Sequence, residues 1–125
     1  RHTESVGASR SGWLAALRDP VVGAALAQLH DRPAQAWTLA DLARGANTSR
    51  TVLSERFAEL VGFTPMQYLA QWRLQLAAEQ LASSAEKVAT IGERVGYESE
   101  AAFSRAFKRA TGDSPAAWRR KRQRG

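Results

Sequence analysis

The feature that most constrains this chain is an internal repeat. Leu39 to Pro65 reads LADLARGANTSRTVLSERFAELVGFTP, and Val88 to Pro115 reads VATIGERVGYESEAAFSRAFKRATGDSP. Leu39 and Leu42 correspond to Val88 and Ile91. Phe57, Gly62 and Pro65 correspond to Phe107, Gly112 and Pro115, and the turn of the second copy is one residue longer. A shared order of apolar positions, glycine, cap and proline marks one supersecondary unit used twice. Within each copy the apolar residues recur at helical spacing, and no segment alternates with period two over a strand's length. The expected class is therefore all-α, with seven or eight helices.

Each copy has the pattern that a helix-turn-helix requires. The first helix carries a small residue, and four later a turn residue: Ala43 and Asn47, then Gly92 and Gly96. Two helices crossing at about 90–120° over a short turn need a small side chain where they touch. The turn needs a residue that tolerates positive φ. Gly92 within a helix costs about 1 kcal/mol relative to alanine, and close approach of the next helix would offset it. Thr38 with Asp41, then Ser49 and Ser99, supply the N-caps, and Gly62 and Gly112 the C-termini. The second helices span about 49–61 and 99–111. Their inner faces are Val52, Leu53, Phe57, Leu60 and Val61, then Ala102, Phe103, Ala106, Phe107 and Ala110. A generic helical hairpin shares this design, so one copy would say little. Two copies in a basic chain point to DNA.

Between the copies lies Thr64–Ser83, TPMQYLAQWRLQLAAEQLAS. Thr64 is an N-cap, Pro65 fits the first helical position, and Gln67 completes a capping box. Met66, Leu69, Trp72, Leu76 and Leu81 form one face. The helix would be roughly 28 Å long. Successive major-groove faces on one side of B-DNA lie about 34 Å apart, so this linker helix is expected to set the distance between two half-sites. Arg73 within it has two readings: a phosphate contact, or a structural arginine holding a carboxylate or a helix C-terminus.

The rest of the chain flanks this frame. Residues 1–10 are polar and unpatterned, as in a linker or disordered end. Trp13, Leu14 and Leu17 make a short apolar turn. Asp19 and Pro20 open a helix buried through Val21, Val22, Ala25, Leu26 and Leu29, which stops at Arg32-Pro33. Ser114-Pro115 opens a last helix anchored by Trp118, and Arg119–Gly125 is a basic run. The expected organisation is a start of chain at 1–18, a first subdomain at 19–63, the linker helix at 64–84 and a second subdomain at 85–125.

Composition removes other functions. There is no cysteine, so thiol chemistry, disulfides and Cys-ligated zinc are excluded, and His2 and His30 are too far apart for a cluster. Glu93, Glu98 and Glu100 crowd around a turn as surface charge. No nucleophile–base pair or phosphate loop appears, so neither an enzyme nor a metal or other cofactor is expected. No apolar run approaches the ~18 residues of a membrane span and no secretory signal is visible, which favours a cytoplasmic location. The chain opens at Arg1 and is expected to be part of something longer. The net charge of +6 and pI of about 10.7 fit a polyanionic partner.

The outer faces of the two second helices carry Arg50, Thr51, Ser54, Glu55 and Ala58, then Glu100, Ala101, Ser104, Arg105, Lys108 and Arg109, with Ser54 and Ser104 matched. Short donors mixed with arginine suit a face that enters a major groove. A solvated charged face is the alternative.

IGERVGYESEAAFSRAFKRATGDSPAAWRR, residues 91–120, resembles the C-terminal signature of the AraC/XylS family of bacterial transcription regulators. Met66-x-x-Leu69 and Trp72-Arg73-Leu74 before Ala77, Ala78 and Leu81 resemble the family's linker helix. The resemblance covers about residues 20–122. It implies two homeodomain-like helix-turn-helix subdomains joined by a long helix, each presenting a recognition helix to the major groove of double-stranded DNA. Carried over, the base-reading candidates are Arg50, Thr51, Ser54 and Glu55, then Glu100, Ala101, Ser104 and Arg105. Arg105 is the strongest, because arginine binds guanine O6 and N7 together. Lys108, Arg109, Arg119 and Arg120 would contact phosphate, as would the helix N-termini near Thr38 and Val88. Glu55 could accept from cytosine N4, or pair with Arg56 or Arg50 on the surface. Ala101 offers a methyl to thymine. The second subdomain, with the more basic face, is expected to carry much of the electrostatic affinity. The resemblance also implies RNA polymerase as a partner, a fused N-terminal effector-sensing domain, an activator's role and a place on the nucleoid. The competing reading is a basic helical module that binds DNA or RNA without sequence preference.

Overall fold

The computed structural model describes residues 12–124, with the side chain of residue 124 left aside. The expected linker at 1–10 lies outside the described residues. Among those residues the chain is helical throughout, with no strand: α1 (residues 12–18), α2 (Pro20–Asp31), α3 (Leu39–Gly45), α4 (Arg50–Val61), α5 (Pro65–Ser83), α6 (Val88–Arg94), α7 (Glu100–Thr111) and α8 (Pro115–Arg124). The chain divides into two compact units. One holds the segment up to Arg32 and Trp37–Leu69, and the other holds Pro33–Ala36 and Ala70–Gly125. α5 contributes its first turn to the first unit and the remainder to the second.

In the first unit, α2 packs on α3 and α4. Val22, Ala25, Leu26 and Leu29 of α2 meet Leu42 and Ala43 of α3, Leu53 and Phe57 of α4, and Leu69. Each buried leucine or phenylalanine contributes about 1.5–3 kcal/mol by leaving water. Asp19 starts α2 as expected, and one carboxylate oxygen accepts from the N–H groups of Val21 (3.1 Å) and Val22 (2.8 Å). Its other oxygen accepts from the Arg56 guanidinium of α4. That bond, helped by the backbone donors and opposed by burial, holds the Asp19 carboxyl below its usual range. α1 lies so close to α2 that a Cβ on Gly23 would sit 2.5 Å from the Leu17 carbonyl oxygen. Trp13 stacks on Tyr68 at 6.2 Å, and the Tyr68 hydroxyl hydrogen-bonds His30 Nε2 at 2.5 Å.

In the second unit, Ala77 and Leu81 of α5 pack with Ile91, Val95, Phe103 and Phe107. Phe107 meets the Phe103 ring at 5.7 Å and the edge of Trp118 at 5.5 Å. The close approach expected at Gly92 is present: a Cβ there would lie 2.8 Å from Phe103 Cδ2 and 3.0 Å from its Cβ. Arg73 proves structural. Its Nε donates to the Pro33 carbonyl and its Nη2 to that of Gln35, both at 2.8 Å, so its partners are loop carbonyls instead of a carboxylate.

The buried faces are narrower than the sequence pattern implied. Val52 is 41% exposed. It sits about 100° around the helix from Leu53, off the stripe that Leu53 and Phe57 define. Ala110 is exposed because it lies in the last turn of α7, beyond the final core residue Phe107. Leu14 and Leu17 are also exposed, and Ala16 carries the buried contact of α1.

Candidate nucleic-acid interface

The two helices that carry the candidate residues are built to one register. α4 and α7 are each 12 residues long. Ser49 Oγ accepts from Val52 N at 3.1 Å, and Ser99 Oγ from Ala102 N at 3.0 Å. Each helix ends on a left-handed glycine, Gly62 (φ 95°) and Gly112 (φ 88°), whose N–H donates to Ala58 and Lys108 respectively. Each buries two side chains four apart: Leu53 and Phe57, then Phe103 and Phe107. The turns that precede them match expectation, with Asn47 at φ 57° and Gly96 at φ 111°. Caps and core pair together fix which side chains point away from the core.

Those outward residues are the predicted ones. Arg50, Thr51 and Glu55 are exposed and Ser54 is half-buried; all four line a shallow depression with Leu39 of α3. Glu100, Ala101 and Arg105 are exposed, Ser104 is half-buried, and Lys108 and Arg109 are exposed. The ion pairs among the described residues leave all of them out. The alternative of a Glu55–Arg56 pair therefore fails, because Arg56 is held by Asp19. Surface ion pairs are worth little in stability, but here they decide which charges stay available.

The phosphate candidates divide. Lys108, Arg109 and Arg120 are exposed and unengaged. Thr38 is committed to its own helix: its hydroxyl accepts from Asp41 N at 3.0 Å and its N–H donates to the Asp41 carboxylate at 3.3 Å. The acidic side chain occupies the place a phosphate would take at that terminus. At the start of α6 Lys87 makes no side-chain cap. Arg119 turns inward, and its Nε donates to the Leu81 carbonyl at 3.0 Å near the end of α5. Gln123 Nε2 reaches the same carbonyl at 3.5 Å and that of Ser84 at 3.3 Å. This closure of α5 spans about forty residues of chain and leaves no local sign in the sequence. Further along the basic run, Lys121 pairs with Asp113 and the Arg122 guanidinium lies 3.8 Å from the Trp118 ring centroid.

A helix-turn-helix domain profile matches residues 42–121, which takes in α4, α5, α6 and α7 whole and most of α3 and α8. The chain belongs to the AraC-type helix-turn-helix family. A putative AraC-like transcription regulator of Streptomyces lividans is 49% identical over 119 residues, covering 95% of this chain and 39% of that protein. The RCS-specific HTH-type transcriptional activator RclR of Escherichia coli (strain K12) is 38% identical over 106 residues, 85% of this chain and 37% of RclR. The chain thus spans well under half the length of these AraC-type relatives. Among solved structures, the DNA-binding domain of AdpA in complex with a target DNA aligns with a TM-score of 0.75 and 32% identity, over 82% of this chain and 92% of that one. The AraC-type family is one of transcription regulators and not of enzymes. Among the described residues no group of His, Cys, Asp and Glu could hold a metal ion, and no helix is long and apolar enough to cross a membrane.

Proposed function

We propose that this AraC-type domain binds double-stranded DNA in a sequence-specific manner, with α4 and α7 entering successive major grooves. The observation that carries the reading is the pair of helices in one register, each with its outer face exposed and its charges unpaired. The likeness to the AdpA domain bound to a target DNA supports it. Arg105 faces out with no acid to satisfy it, as a bidentate contact to guanine requires. Thr51, Ser54 and Ser104 supply short donors, and Ala101 a methyl against thymine. Lys108, Arg109 and Arg120 neutralise phosphates and position the heads without reading sequence. Thr38 drops out of the phosphate set because its hydroxyl and N–H are already paired with Asp41, and Arg119 because its guanidinium is turned inward, Nε onto the Leu81 carbonyl and Nη2 buried. The heads are taken as 19–63 and 85–125, joined by the helix at 64–84.

The test is selection of duplex sites from a random pool, followed by titration against salt. A two-part motif should enrich. Affinity that tracks salt alone, with no sequence enriched, would instead show a nonspecific binder. RNA should compete poorly, since the aromatic rings of α4 and α7 (Phe57, Phe103 and Phe107) are buried and those helices offer no stacking platform. Arg105→Ala should lose roughly 1–3 kcal/mol at one base pair. Equal weakening on every sequence would mark it as a phosphate contact. For the whole protein we propose a nucleoid-associated cytoplasmic regulator, with a further effector-sensing domain and RNA polymerase as partner. It would act as an activator, in line with the name of RclR.

A further inference from the structure

We infer that the two recognition helices read opposite bases at one matched position, Glu55 a cytosine and Arg105 a guanine, so that the operator is chemically asymmetric. The inference rests on the DNA-binding reading above.

Counting from the N-cap serines, Glu55 and Arg105 are the same residue of their helices. Both lie six positions after the cap and two before the second buried residue of the pair, Phe57 or Phe107. Since the caps, the buried pair and the terminal glycine coincide, the two side chains leave their helices in the same direction relative to the core. Yet their charges are opposite. The position after the cap is reversed as well, with Arg50 in one copy and Glu100 in the other. A repeat that had kept one binding chemistry would not invert both.

The structure keeps these charges unspent. Glu55 is exposed beside Arg50, Thr51 and Ser54 in the depression against Leu39, and pairs with no cation among the described residues. Arg56, its neighbour, is taken by Asp19, and Arg44 by Asp41. An unpaired carboxylate on a face that approaches DNA is repelled by phosphate. It gains only where the groove offers a donor. In the major groove those donors are cytosine N4 and adenine N6, and adenine sets its N7 acceptor beside the amino group. Cytosine is the base that carries a donor with no acceptor of its own alongside. Arg105 needs the reverse, two adjacent acceptors, which guanine supplies as O6 and N7. One helix position thus discriminates the two members of a G·C pair, according to which copy presents it.

The experiment is selection from a random duplex pool with the full 125-residue chain, in wild type, Glu55→Gln and Arg105→Gln. Both changed side chains are exposed, and circular dichroism at matched temperature verifies the fold. The wild type should enrich a motif with a fixed C·G pair in one half and a fixed G·C pair in the other. Glutamine favours adenine through N6 and N7. Glu55→Gln should therefore replace the cytosine by adenine in its half alone, with a preference change of roughly ten- to a hundredfold. Arg105→Gln should replace the guanine in the other half by a similar factor. Glu55→Gln that tightens binding to every sequence equally, with the motif unchanged, would overturn the inference and leave Glu55 as a repulsive surface charge. Two variants that alter the same base pair would overturn it too. A wild type that enriches nothing would overturn the DNA-binding reading itself.

Discussion

Gly92→Ala isolates the contact on which the second helix-turn-helix depends. In an open helix the change would be stabilising by about 1 kcal/mol, from helix propensity alone. Here the new Cβ would lie 2.8 Å from Phe103 Cδ2, 2.9 Å from Cγ and 3.0 Å from Cβ. Carbon atoms prefer about 3.5–4.0 Å, so the neighbour must retreat by something near 1 Å. The ring has nowhere to go, since Phe103 is fully buried with Tyr97 at 5.4 Å and Phe107 at 5.7 Å. Its Cβ moves only with the backbone of α7. Overpacking of this kind costs about 1–3 kcal/mol. Subtracting the propensity gain leaves a net change between roughly zero and 2 kcal/mol of destabilisation, or a fall in Tm of up to about 16 °C for a unit of this size. Urea and thermal unfolding followed by circular dichroism would measure it. The first copy provides the control, because its matching residue is already alanine, Ala43, which is buried with its methyl accommodated. Ala43→Gly should cost about 1–2 kcal/mol, through lost propensity and a lost buried methyl. A Gly92→Ala variant more stable than wild type by the full 1 kcal/mol of propensity would refute the argument and show the two helices to be loosely packed.

Asp19→Ala removes both the cap of α2 and the partner of Arg56, and should cost about 0.5–2 kcal/mol in urea melts at neutral pH. Because the folded state lowers the Asp19 pKa, its contribution is present above the unfolded value of about 3.9. It fades as pH falls through the folded value, so wild type and variant should converge in strongly acidic urea melts. His30 has the same dependence by another route. Burial lowers its pKa, so the unfolded chain binds the proton more readily. Stability should fall as pH drops below about 6.5, and His30→Gln should remove that part of the slope. Arg119→Ala should cost about 1 kcal/mol of stability and leave the salt dependence of DNA binding unchanged. Lys108→Ala should weaken binding on all sequences and lower the salt slope by about 1.

What the sequence revealed was the part governed by local chemistry. Thr38 with Asp41, Ser49, Thr64 with Gln67, and Ser99 all cap within three residues of themselves, and all are found where their spacing placed them. Asn47 and Gly96 take positive φ for the same local reason. The Gly92 contact was legible because a glycine inside a helix needs an explanation. What stayed hidden was long-range. Arg56 finds Asp19 at a separation of 37 residues and Arg119 finds Leu81 at 38, and arginine looks alike on paper whether it faces solvent, a carboxylate or a helix end. Val52 and Ala110 were misplaced because helical periodicity gives the direction of a stripe and not its width or its end. That Glu55 and Arg105 hold the same place follows from the sequence match of Ser54 with Ser104 and Phe57 with Phe107; what needed the structure was that neither is taken by an ion pair among the described residues.

The long-range pairs change how the net charge bears on function. A value of +6 describes the chain, but a partner meets only the cations that folding leaves free. Arg32, Arg44, Arg56, Arg94 and Lys121 are matched to acids, and Arg73 and Arg119 to backbone carbonyls. On the outer faces of α4 and α7 and the start of α8, the free cations are Arg50, Arg105, Lys108, Arg109 and Arg120. Four of the five belong to the second unit, and among the described residues the outer face of α4 sets Glu55 beside its one free arginine, Arg50. We therefore expect affinity drawn from phosphate neutralisation to come mainly from the second head. On the proposed DNA-binding reading, the first head, with little net attraction to offer, would contribute only where its side chains meet complementary base edges. On a mismatched sequence it would gain little from staying bound, and that lack of general attraction would make its contribution selective.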